Sequence, residues 1–176
     1  NQYTPNLAQV LGKQPPFTAL GAERWRTVDT AKDPTGVCLP PGPSRAFTAP
    51  FPFLLIQHKD MIGILYEYQT IWRVIYTDGR PHPKDIADYP LFMGDSIGHW
   101  EGGKLVVDTV GIDERSWLDT AGHEHSDKLH LIETFEKLNS KADCTNPANK
   151  GNPPSSCLKY TVTFDDPAFF TQPFTL

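Results

Sequence analysis

No uncharged apolar run in this 176-residue chain comes near the ~20 residues that a helix needs to cross a bilayer. Basic residues are also scarce, with 16 Lys and Arg against 21 Asp and Glu for a formal net charge of −5, and no cluster breaks that balance. Nucleic acid and anionic membrane surfaces are therefore excluded as expected partners, and no membrane span is expected. No N-x-S/T sequon, phosphate-binding loop, G-x-G-x-x-G turn or G-x-S-x-G elbow is present. Apolar residues make up 39% and aromatics 11%, which supplies a core and excludes wholesale disorder and collagen-like repetition. The composition is that of one soluble globular domain.

Cysteine is rare, with three residues. Cys144 and Cys157 bracket TNPANKGNPPSS, a segment without apolar periodicity, and a disulfide there would contribute about 3 kcal/mol through chain entropy. A zinc pair is the rival reading, but metal-ligand cysteines usually sit about two to four residues apart. Cys38, left over in CLPPGPSR, is expected to be a small buried hydrophobe. A disulfide in a chain that opens on Asn1 leads us to expect a processed, secreted or periplasmic protein.

Prolines crowd the N-terminal third, whereas residues 53–80 and 91–146 contain none. Residues 1–52 are accordingly expected to be a Pro-rich arm that wraps rather than pairs, with one short helix from Asn6 to Lys13. Residues 53–176 are expected to form an antiparallel β domain. Strands are read at 53–58, 61–68, 70–77, 96–100, 104–110, 129–138 and 158–166, from their β-branched and aromatic content. Lys59-Asp60 and Gln69-Thr70 are hairpin-sized gaps, and Glu101-Gly102-Gly103 supplies the positive φ values of a tight turn. The fold class is all-β. A curled sheet or an up-and-down, lipocalin-like (calycin-type) barrel fits best, because closure removes exposed strand edges, and a β-sandwich is the alternative. The apolar ending FFTQPFTL suggests continuation into a further strand.

Three of the six histidines, His123, His125 and His130, fall in WLDTAGHEHSDKLHLIETF. An extended H-x-H places both imidazoles on one side, about 6–7 Å apart, suited to paired acid and base work or to a shared metal. Glu133 shares a strand face with Leu131 and Phe135, so alternation aims its carboxylate at the interior, where burial favours the neutral acid. The H-x-H motif is similar to that of cupins, but seven residues separate His125 from Glu133 here, departing from the cupin spacing. A transition metal on His123, His125 and either His130 or Glu133 is the alternative reading, and no motif requires a cofactor. The rival reading has the histidines capping a loop.

Glu67 in ILYEY and Asp108 in LVVDT interrupt apolar strands, and Arg73, one hairpin from Glu67, is the expected partner of Glu67 in either a structural pair or a dyad. Trp72, Trp100, Trp117, Tyr66, Tyr68 and Tyr76 alternate with these charges, as core or as the walls of a small-ligand cavity. His82, between two prolines, is expected to be held stiffly at a barrel rim, and MGDSIG is read as a polar turn.

The succession CLPPGPSR, ILYEY, RVIYTDGRPHP, MGDSIGHWEGGKLVVDT and SWLDTAGHEHSDKLHLIE, spanning about Cys38 to Phe174, resembles a family of exported bacterial proteins common in soil bacteria. The resemblance implies a secreted or periplasmic bacterial origin and a chain that runs on past Leu176. It transfers no activity and no catalytic residue.

The leading functional expectation is an extracytoplasmic acid–base enzyme, a lyase, isomerase or hydrolase, acting on a small organic or carbohydrate-like molecule in a β-barrel cavity. His123 or His125 would move the proton, Glu133 would share it, and Glu67, Arg73 and Asp108 would position substrate. The alternatives are a lipocalin-like binding protein and a metal-binding protein or subunit of an extracellular assembly, whose arm would add to a neighbour's sheet edge. A small molecule is the expected partner, and oligomerisation is left open.

Overall fold

The computed structural model describes residues 6–145 and 152–176. Its eight strands, β1 (Phe53–Gln57), β2 (Met61–Tyr66), β3 (Trp72–Tyr76), β4 (Asp95–Glu101), β5 (Lys104–Val110), β6 (His130–Leu138), β7 (Cys157–Asp165) and β8 (Phe174–Thr175), form one sheet in sequence order. The sheet curls into a half-barrel, so the all-β expectation holds in its curled-sheet form. β1 pairs with β2 and β8 with β7, which leaves the sheet open between its first and last strands.

One connection departs from the antiparallel meander. β3 and β4 run parallel, joined by a crossover through residues 77–94, as parallel neighbours require. Elsewhere the sequence signals act as expected. Gly102 and Gly103, at φ 55° and 84°, close the β4–β5 hairpin directly after the Glu101–Lys104 pair. The β2–β3 connection is longer than a two-residue turn: β2 ends at Tyr66, and Gln69 and Thr70 both take φ 54° before β3 begins.

Strand parity decides which side chains face the concave side. On β5, Leu105, Val107 and Thr109 are buried there, and on β6 so are Leu131, Glu133 and Phe135. Helix α3 (Pro43–Thr48) lies over this face and wedges Phe47 between Phe53, Phe135 and Tyr160, with ring centroids 4.2–5.1 Å apart. Helix α1 (Leu7–Leu11), where the short helix was expected, buries Leu7 in a second cluster with Leu131, Val162 and Phe164. Helix α2 (Ala19–Thr27) crosses so closely that a Cβ at Gly21 would sit 2.3 Å from the Phe169 carbonyl oxygen.

Cys144 and Cys157 form a disulfide with Cα atoms 5.7 Å apart. Cys38 corrects its expectation: it is exposed, because it ends a 3-10 turn in a left-handed conformation at φ 65°. Glu67 is a second correction. Ile62, Ile64 and Tyr66 face the core, so the next residue reverses parity just as β2 ends, and Glu67 is exposed rather than paired with Arg73.

Candidate functional site

β3 and β4 share only two register pairs, Ile75 with Ser96 and Tyr76 with Ile97. Upstream of that junction, residues 91–94 are drawn away from β3 by a bridge from Leu91 to Ile112 and by the Leu91 amide donating to the Gly111 carbonyl at 2.9 Å. The gap is a cleft of about 340 Å³ with Trp72, Tyr76, Phe92 and Asp95 among its walls and Arg73 and Ser96 reaching it from the sheet. Gly94, at φ 64°, makes the turn here. A Cβ on it would meet the Thr109 side chain at 2.7 Å.

Asp95 leads to a chain of alternating carboxylates and imidazoles on the convex face. His82 Nδ1 lies 2.5 Å from Asp95 Oδ1, and its Nε2 lies 3.2 Å from Asp108 Oδ1. The same Asp108 oxygen receives His130 Nε2 at 2.8 Å. Asp108 and His130 face outward because their neighbours Val107, Thr109 and Leu131 face the core, and both remain more than a third exposed. Carboxylate oxygens only accept, so both His82 contacts are hydrogen bonds when each ring nitrogen carries a proton. Asp95 is the member of the chain that lines the cleft, so a proton exchanged with a bound molecule passes through its carboxylate, and the His82 ring, protonated at one nitrogen as it releases the other, relays it toward Asp108 and His130.

Two arginines border the cleft in the same manner. Arg80 stacks over Tyr76 at 3.8 Å and Arg115 over Phe92 at 4.8 Å. Each guanidinium is gripped by the aspartate two residues earlier, Arg80 Nε by Asp78 at 2.9 Å and Arg115 Nε by Asp113 at 2.9 Å. Hydrogen bonding from Arg115 outweighs partial burial and holds the Asp113 carboxyl below its ordinary value.

On the concave side of the sheet, Arg73 forms a bidentate pair with Glu133, donating Nη1 to Oε1 at 3.0 Å and Nη2 to Oε2. Its Nε donates to Ser96 at 3.0 Å, Nη2 also reaches Thr109 at 2.7 Å, and Tyr160 donates to Glu133 at 2.8 Å. Burial alone would lower the Arg73 pKa, but the Glu133 carboxylate raises it. Burial pushes the Tyr66 phenol up to about 12 and the Tyr160 phenol well above 10.

Sequence reasoning placed Glu133 inside, as it is, but with imidazole as its neighbour; the structure gives it Arg73 instead. His123 is 1% exposed, stacked on Trp25 at 4.1 Å with Nδ1 2.6 Å from Asp119. His125 is also buried, with Nε2 2.9 Å from Ser116 Oγ and Nδ1 donating to the Ser126 carbonyl at 2.9 Å. Burial lowers the His125 pKa, against the Ser126 hydrogen bond and the charges of Asp166 and Asp113. His123, His125 and His130 thus have three separate partner sets. Among the described residues, no three His, Cys, Asp or Glu side chains are grouped to hold a metal ion, which corrects the His123–His125–His130 metal reading.

Of the expected cavity residues, Tyr66 and Trp117 are buried, while Trp72 (67%) and Trp100 (53%) are exposed. Trp72 lines the cleft, and Trp100 stands at a separate apolar cavity in the half-barrel mouth. Sequence reasoning missed Asp95, Ser96 and Phe92 and read His82 as a rim residue. The turn signals of YTDGRPHP and MGDSIG were visible, but their convergence depends on the parallel β3–β4 pairing.

Comparisons with protein-family models, curated proteins and solved structures give no match to this chain.

Proposed function

We propose that this protein is an acid–base enzyme, a lyase, isomerase or hydrolase, that binds a small organic or carbohydrate-like molecule in the cleft between β3 and residues 91–95. The observation that carries the reading is the hydrogen-bonded chain Asp95, His82, Asp108 and His130 running from the wall of an aromatic cleft to solvent. Asp95, in the cleft wall, exchanges the proton with the bound molecule, and His82 relays it between Asp95 and Asp108. Trp72 and Tyr76 offer faces for a ring, and Arg80 adds N–H donors at the rim. The disulfide supports an oxidising, secreted or periplasmic compartment.

A screen of monosaccharides, disaccharides and small hydroxy acids by ligand-observed NMR, followed by turnover assays on the hits, tests this reading. His82→Gln is expected to lower turnover of the hit at least ~100-fold, the scale of a lost general acid–base group, while leaving the thermal midpoint near that of the parent. Undiminished turnover in His82→Gln would reject the assignment.

A second reading, a lipocalin-like binding protein, is favoured by the mouth cavity. It measures about 110 Å³ and is lined by Leu55, Ile62, Ile75, Trp100, Leu105 and Phe135, with Lys137 also among its walls. An engineered apolar cavity of roughly 150 Å³ holds a benzene ring, so an apolar group of about one ring is the scale of ligand it suits. Binding of a hit that persists in His82→Gln and is lost in Leu105→Trp would point to this cavity.

A further inference from the structure

The first strand of the sheet is apolar from Phe53 to Ile56, ends on the uncharged Gln57, and is unguarded. Phe53, Leu54, Leu55 and Ile56 are 37–58% exposed, and β1 carries neither lysine nor any other charge to deter pairing. The hydrogen-bond phase of β1 is fixed at both ends: the Glu67 amide donates to the Pro52 carbonyl at 3.0 Å, and the His58 amide donates to the Met61 carbonyl at 2.9 Å. With the β1–β2 register, these bonds turn the backbone groups of Leu54 and Ile56 toward β2. The N–H and C=O groups of Phe53, Leu55 and Gln57 therefore point out of the free edge. Pro52 gives no protection there, because its missing N–H falls on the β2 side.

We propose that β1 pairs antiparallel with β1 of a second copy of this chain, about a two-fold axis through Leu55. Centred on Leu55, the strand is complementary to itself over its full length. Phe53 faces Gln57 of the second copy, Leu54 faces Ile56, Leu55 faces Leu55, and every free edge N–H and C=O of Phe53, Leu55 and Gln57 meets its counterpart. β1 brings no charge to the axis, so no like charges face each other there. The two-fold axis is perpendicular to the sheet, so both concave faces lie on one side and the wall of the mouth cavity, which Leu55 lines, continues into the second copy. Pairing covers only the edge of a five-residue strand and part of its exposed apolar side chains, well short of the ~800 Å² per partner of a standard interface. The dimer is therefore a weak, reversible one whose population depends on concentration.

The test combines light scattering on the native chain with register-specific cross-linking. The mass should rise from 19.7 kDa toward twice that value as concentration is raised. In a Cys38→Ser background, Leu55→Cys should oxidise to a covalent dimer, because Cα atoms facing across a hydrogen-bonded pair lie about 5.5 Å apart, within disulfide reach. Gln57→Cys should not, because it sits opposite Phe53 and about 13 Å along the strand from its own copy. Leu55→Lys, which sets two ammonium groups across the axis, should weaken dimerisation at least tenfold. A native chain that stays monomeric at every concentration, or Gln57→Cys cross-linking as readily as Leu55→Cys, overturns the proposal. So does a dimer that Leu55→Lys leaves intact, since another surface then holds it.

Discussion

Arg73 and Glu133 lie in strands that are not neighbours, and each reaches the other because parity turns both toward the concave side. The pair is fully buried, and Ser96, Thr109 and Tyr160 add three further hydrogen bonds to it. Breaking one side leaves a charge in the core, at a cost of about 3–5 kcal/mol, whereas replacing both partners with apolar groups of similar volume removes that charge altogether. Glu133→Leu is thus expected to destabilise the fold by about 3 kcal/mol or more, and Arg73→Met with Glu133→Leu by markedly less, both read from urea midpoints. If the double variant proves less stable than the single one, the pair contributes net stability and the argument from desolvation fails. Glu133 was legible as an interior carboxylate because Leu131 and Phe135 flank it at period two. Its partner was not, since local spacing made Glu67 the nearer candidate for Arg73 and only the observed strand ends and parity remove Glu67 from the core.

The elements themselves were largely legible. β1 through β7 lie where β-branched and aromatic runs were bounded by turn residues, and the Gly102-Gly103 hairpin follows from left-handed φ values that glycine takes without strain. What sequence could not supply is the parallel β3–β4 pairing, because nothing in residues 77–94 reads as a crossover helix, and the cleft exists only through that pairing. Lipocalin-like closure was argued from the need to hide strand edges; the observed sheet leaves β1 open instead, and its apolar edge is the more informative for being unprotected. The disulfide acts at this scale as well. It joins the start of β7 to the turn after β6, beside the Leu138–Cys157 pair of the ladder, and it closes a connection with a sequence separation of 13. Removing it with Cys144→Ser and Cys157→Ser together should cost about 3 kcal/mol through the entropy of the unfolded chain. Hydrogen exchange should quicken first at the Leu138 end of the β6–β7 ladder, and uniform protection along that ladder would contradict a local role.

For the whole molecule, the buried titratable groups define a window of greatest stability. His125 is held below its ordinary value of 6.5 by burial, so as pH falls past about 6.5 the unfolded chain takes up that proton first and stability declines. A second decline begins near 3.8 with Asp33, Asp113 and Asp119. Burial alone would raise Asp33 and Asp119, but hydrogen bonds from Arg45 and Thr35 to the first, and from His123 and the Leu7 and His123 amides to the second, hold both below the usual carboxylate range. These carboxylates therefore stabilise the fold above 3.8 and lose that contribution as pH falls through their lowered values. At the alkaline end the sign reverses. Tyr66, raised to about 12 by burial, and Tyr160, raised further still, keep their protons in the fold after the unfolded chain has begun to release them near 10, so stability falls as pH rises beyond that point. Urea midpoints measured across pH should form a plateau between about 6.5 and about 10, with a two-step acid limb. His125→Gln should flatten the upper acid step and leave the lower one in place. A midpoint that climbs as pH falls from about 7 to about 5 would mean that His125 binds its proton more tightly in the fold than out of it, the reverse of what its burial between Ser116 and the Ser126 carbonyl requires.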